Sequence, residues 1–271
     1  MTHNIYLEAG RQRTFAVAVD WPGWARSGRS EEAALQALVD YAPRYARVLQ
    51  STTLAFSPPA SPSDLTVIAR LPGTATTDFG APAVPLPDDS APVTPEELGR
   101  WKEILPACWQ AFDAAVQSAG GQALRKGPRG GGRELEKILH HLYESAEAYL
   151  KSLGGQPPKG LPADPAEALP PLREAILAAL EAAARGELPA RGPRGGERWT
   201  ARYFVRRLAW HDLDHAWEIE DRTARLPPLN ARPGKAHRAP YPVCSFTPLL
   251  ACFLPLPVVV IPLPGPHLLV H

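Results

Sequence analysis

Proline decides where this chain can keep a regular backbone: there are 32 among 271 residues. Each fixes φ and removes an N–H, so dense proline excludes long helices and central strands. Here the prolines cluster between periodic segments and after residue 222, dividing the chain into a short first part, a middle of helical period and a Pro-rich end. The stretch "LPGTATTDFGAPAVPLPDDSAPV" reads as the first boundary, a linker over 72–93. From 223 to 271 no period survives. The apolar runs there are broken by Pro255, Pro257, Pro262, Pro264 and Pro266, too often for a membrane span of about 20 apolar residues. That end is expected to be a disordered tail, and its abrupt change of composition also suits a shifted reading frame. No functional weight is placed on His237, His267, His271, Cys244 or Cys252 within it.

Residues 1–71 predict a small β-β-α-β domain. "NIYLEA" and "TFAVAVDW" form a hairpin through "GRQR", Ser30 caps a helix with Glu31 and Glu32 in its first turn, and "DLTVIARL" is the third strand. Pro43 is expected to kink or end that helix.

Residues 94–222 predict four helices. Thr94, Pro95 and Glu97 make a capping box, followed by a stripe of Leu98, Trp101, Leu105, Trp109, Phe112 and Val116, with a bend at Pro106. The second helix runs from about Glu134 to Leu153. The third starts at Asp164 and Pro165, its regular part delayed by Pro170 and Pro171, and the fourth spans about Thr200 to Arg222. Before the second and fourth helices the motif Gly-Pro-Arg-Gly-Gly recurs. It reads either as two flexible loops or as an anion cradle built on Arg129 and Arg194.

The fourth helix carries "RRLAWHDLDHAWEIEDR", residues 206–222. His211 and His215 stand four apart and share a face with Phe204, Leu208, Glu218 and Ile219. Burying two neutral imidazoles is costly unless each finds a partner, and a divalent cation would serve both. A third ligand is available in "KILHHLYESAEAYL", where His140 and His141 flank opposite edges of the apolar stripe, so geometry leaves both open. Asp212 and Asp214 are expected to face solvent or polar neighbours, Tyr143 and Trp210 to pack, and Cys108 to act as a small buried hydrophobe.

Two resemblances follow from these motifs. "DWPGWARSGRSEEAALQAL" resembles the D-x-P-G and G-x-S patterns of HicB-like small α/β domains. The second and fourth helices resemble the DinB-like, YfiT-type metal-binding four-helix bundles, with "HHLYESAEAYL" near L-x-H-I-x-x-A-E-x-x-Y-L and "HDLDHAWEIE" near H-x-x-x-H followed by E-I. At the family's frequent acidic position this chain has Ala146, with Glu147 one place later. The resemblance implies an α+β chain whose bundle holds a divalent ion (zinc, nickel, iron or manganese) on His141, His211 and His215, with His140 as the alternative to His141. It also implies that Glu218 holds a histidine ring in place or acts as a base. The implied activity is a metal-dependent hydrolase or a low-molecular-weight-thiol transferase on a small molecule. The alternative is a non-catalytic metal-binding regulator whose HicB-like module contacts other proteins. Pairing into a homodimer is compatible with such a bundle.

Composition narrows the partners. A net charge of +1 without a basic block gives no footprint for nucleic acid or an anionic membrane. Three scattered cysteines and an N-terminus without a signal-peptide pattern lead to the expectation of a cytoplasmic protein.

Overall fold

The computed structural model describes residues 2–126 and 132–223. The expected disordered tail lies outside them, and so does Arg129. Strands β1 (His3–Ala9) and β2 (Thr14–Ala18) form the antiparallel hairpin, Tyr6 opposite Val17. A further strand, β3 (Ala25–Gly28), follows and pairs antiparallel with β2. Helix α1 (Glu31–Val48) then crosses to β4 (Leu65–Pro72), which lies parallel to β1, giving the order β3-β2-β1-β4. The first part is therefore β-β-β-α-β. The sequence reading missed β3 because "ARSG" has no apolar alternation; it becomes a strand by pairing with β2.

Both faces of the sheet are covered, which is why β2 is buried at all five positions instead of alternating. On one face Ile5, Leu7, Ala16 and Ala18 pack with Leu38, Ala42 and Tyr45 of α1. Tyr6, Phe15, Val17 and Ala25 on the other meet Ala81, Leu86 and Trp210. The segment 72–93 has structure of its own, a short helix α2 (Ala75–Phe79) and a 3-10 turn at Pro87–Ser90. It is pinned by Glu8, a carboxylate without exposure that accepts from the Thr77 hydroxyl and from the Ala83 and Val84 N–H groups.

The helical part consists of α3 (Pro95–Ala119), α4 (Leu135–Leu153), α5 (Pro165–Ala184) and α6 (Ala201–Thr223). The prolines inside these helices do not end them. α1 continues five residues beyond Pro43 to Val48, and α5 begins at Pro165 with no delay from Pro170 and Pro171. Each such proline removes a helix hydrogen bond at a cost of about 3 kcal/mol. Burial of Leu169, Leu172, Ile176 and Leu180 along α5 opposes that cost. Helix α6 is the axis of the molecule, burying Phe204, Leu208, Leu213 and Ile219 against other helices and Trp210 against the sheet. Gly23, at φ +96°, lets the turn after β2 lie on this helix, since a Cβ there would stand 2.9 Å from the Leu213 Cδ1. The fold is thus α+β, and none of the described helices is long and apolar enough to cross a membrane.

Candidate metal centre

Burial on every side forces α6 to find partners for its polar residues. Arg206, 5% exposed, forms an ion pair with Asp89, and Asp212, 2% exposed, accepts from the Trp109 indole N–H at 3.0 Å. Of the two surroundings expected for Asp212, solvent or polar neighbours, it has the second, in the Trp109 N–H. Its carboxyl is pushed up to about 7, chiefly by burial. Asp214 does meet a polar neighbour, Arg26, at 2.8 Å.

The histidines of α6 face α4. Helix α4 turns Ile138, Leu142, Ala146 and Leu150 inward, so that His141 borders the buried stripe while His140 stays exposed. His141 is thereby brought to the α6 pair: its Nε2 is 3.1 Å from the Nε2 of His211. Ring centroids are 5.0 Å apart for His141–His211, 5.1 Å for His141–His215 and 4.7 Å for His211–His215. One ring nitrogen from each of the three lies within 4.8 Å of the others. Among the described residues, no other set of three or more His, Cys, Asp or Glu gathers this closely.

The site disfavours protonation of His141 and His211. Burial, with His215 and Arg133 adding to it, pushes His141 down to about 3 and holds His211 well below the ordinary histidine range. The Nδ1 of His215 is 2.9 Å from Glu218 Oε2, and the other carboxylate oxygen accepts from Arg222 at 2.8 Å. Burial works to raise Glu218, yet the bonds to His215 and Arg222 leave it below the usual carboxylate range. Arg222, 4% exposed, is fixed in turn by donating to the Arg125 carbonyl at 2.8 Å. With Nδ1 engaged, His215 offers Nε2 to the centre, so Glu218 sets both its orientation and its tautomer.

Two nitrogens bound to one zinc at about 2.0–2.1 Å in tetrahedral arrangement stand roughly 3.3 Å apart. The observed 3.1 Å is close to that, and the all-imidazole donor set suits zinc, nickel, iron or manganese. The residue set fits a divalent ion. Glu147, by contrast, pairs with Lys151 along the surface of α4 at 2.7 Å, and Ala146 is buried, so α4 contributes no carboxylate to this set.

Other sequence candidates lie elsewhere. Arg194 occupies an exposed turn closed by Gly192 donating to Gly196, ahead of α6. Cys108 is fully buried, as expected of a small hydrophobe there. Arg222 was missed, although its place four residues beyond Glu218 is a legible helix pairing. Arg133 and Arg207, which act electrostatically on His141 and His211, carried no comparable signal.

No curated protein and no solved structure matches the chain. A family model described as the DinB superfamily matches residues 104–219, which span α3 from Ile104 to the last turns of α6 and include all three histidines, so this part of the chain is similar to that superfamily.

Proposed function

We propose that the protein binds one divalent cation on His141, His211 and His215 and acts as a metal-dependent hydrolase or low-molecular-weight-thiol transferase on a small molecule. The reading is carried by three imidazoles from two helices converging within 4.8 Å. It is supported by the 3.1 Å approach of His141 Nε2 to His211 Nε2, close to the separation of two nitrogens that share one cation. When bound, zinc, nickel, iron or manganese would supply Lewis acidity to water, a thiol or a carbonyl.

The chain's own residues prepare that chemistry. Burial keeps protons off His141 and His211, leaving their lone pairs available at neutral pH. Glu218 holds the His215 ring and is itself held by Arg222, so its carboxylate is a positioning group in this arrangement rather than a free base. A YfiT-type transferase is one form of the proposal. In a non-catalytic form the HicB-like part makes protein contacts, which has in its favour Ile68, 52% exposed on the edge strand β4.

The test is elemental analysis of protein purified without a metal-affinity tag, followed by hydrolase and thiol-transfer screens with and without chelator. Roughly one ion per chain and chelator-sensitive turnover are expected. Bound ion without turnover on any substrate would favour the non-catalytic form, and an absence of ion would refute both.

A further inference from the structure

The connection from α3 to α4 meets the last turn of α6 through Arg125 and Gly132. A helix end leaves its final carbonyls without donors of its own. Arg125 supplies them at Asp221 and Arg222. Its main-chain N–H and its Nε both donate to the Arg222 carbonyl at 3.1 Å, and its Nη2 donates to the Asp221 carbonyl. A cation at this end also suits the helix dipole. Arg222 answers by donating from its Nε to the Arg125 carbonyl at 2.8 Å, so each arginine holds the other through a main-chain oxygen.

Gly132 closes on the same guanidinium. Its φ is +126°, a conformation that side-chain-bearing residues rarely adopt, and a Cβ there would stand 2.8 Å from the Cζ and Nη2 of Arg222 and 3.2 Å from its Nε. The main chain at 132 thus lies directly against Arg222. In the sequence this glycine follows the first Gly-Pro-Arg-Gly-Gly copy, whereas Glu197 follows the second. Contact with a buried arginine gives the first copy a reason to continue with glycine. With the guanidinium fixed in this way, its Nη1 meets Glu218 Oε1 at 2.8 Å, and Glu218 Oε2 stands 2.9 Å from the Nδ1 of His215. A ring held before the ion arrives binds it more tightly, because less ordering remains to be done.

We infer that Arg125 and Gly132, on the connection from α3 to α4, tune the metal centre at a distance: they clamp Arg222, Arg222 fixes Glu218, and Glu218 fixes the His215 ring. Arg222 and Gly132 are in this sense positioning residues for the ion. The inference deepens the metal-binding reading and rests on it.

The test is zinc titration against a chromophoric chelator, with visible spectra of the cobalt-loaded protein, for the unaltered full chain, Gly132→Ala and Arg222→Gln, each with and without Glu218→Gln. With Glu218 present, Arg222→Gln should weaken zinc binding by about tenfold and Gly132→Ala by about threefold, and both should alter the cobalt ligand-field bands. With Glu218→Gln in place, each further loss should shrink to within about twofold, since the route to His215 is already cut. A purely structural role would cost as much in both backgrounds. Gly132 is exposed and outside the helices, so Gly132→Ala carries the test if Arg222→Gln does not fold. Unchanged zinc affinity and cobalt bands in Gly132→Ala, or losses of equal size with and without Glu218→Gln, would overturn the inference and leave the metal reading standing. If the unaltered chain binds neither ion, the metal reading fails separately, and the His215 Nδ1–H resonance of the metal-free chain decides the clamp: faster exchange of that proton in Gly132→Ala upholds it, and an unchanged signal ends it.

Discussion

Glu218 shows how much of a site one residue can govern. Its two oxygens connect His215 to Arg222, so one carboxylate sets a ring's tautomer and is itself prevented from turning away. Removing its charge in Glu218→Gln is expected to weaken zinc binding by about 10–100-fold with the fold intact, as read by competition with a chromophoric chelator. Unchanged affinity would show that His215 needs no such support. The pair His211 and His215 was legible because four-residue spacing on a helix is a strong geometric statement. The choice between His140 and His141 was not, because both flank the apolar stripe and only packing of Ile138, Leu142 and Ala146 decides which turns inward. Which of its two expected surroundings Asp212 would take was not legible for a related reason. In sequence it resembles any polar residue on a helix, and its burial depends on α3 bringing Trp109 to it.

At the scale of elements, caps and stripes were the readable features. The Thr94–Glu97 box starts α3, with Glu97 accepting from the Thr94 N–H at 2.9 Å. The sequence gives no sign of its second task, since Glu97 also receives both Nε and Nη2 of Arg202, at 2.8 Å each, and so ties α3 to α6. Those bonds from Arg202 hold its carboxyl down to about 2, from an ordinary value of 4.5. A depressed carboxylate contributes stability that is present above about 4.5 and lost as pH falls towards 2. Glu97→Gln should therefore cost about 1–2 kcal/mol at pH 7, a figure discounted for its partial exposure, and progressively less below about pH 4.5. Urea unfolding of both proteins at pH 7 and pH 3 checks this; a gap of equal size at both would contradict the assignment. Prolines misled in the opposite direction. Local chemistry argued for a kink or an early end at Pro43 and for a delay at Pro170–Pro171, yet α1 runs on to Val48 and α5 starts at Pro165, burial along both opposing the proline cost.

For the molecule as a whole, the sheet and the helices share one core: Ile5, Leu7, Trp24, Leu38 and Tyr45 belong to the same cluster as Trp101, Leu105, Leu208 and Leu213. Arg206 and Asp89, both buried, and Arg26 with Asp214 add charged ties across it. The expected consequence is one unfolding transition, coincident by tryptophan fluorescence and far-UV circular dichroism, and separate transitions would contradict it. Arg206→Met strands the buried Asp89 carboxylate and should cost about 3–5 kcal/mol in that measurement. Asp89→Asn added to it should restore part of the loss. This continuity was beyond the sequence reading because it depends on which face of each element meets which, and period alone does not say. It also bears on the site, since α6 can present two histidines to α4 only while its other sides are gripped by α3 and the sheet. The most direct measurement is a zinc titration of the full chain beside His140→Ala, His141→Ala, His211→Ala and His215→Ala. The expected result is one ion per chain, with affinity retained in His140→Ala and reduced by roughly 100-fold or more in each of the other three, beyond what loss of an outer partner costs. Equal affinity in His140→Ala and His141→Ala, or no saturable binding by the unaltered chain, would contradict it.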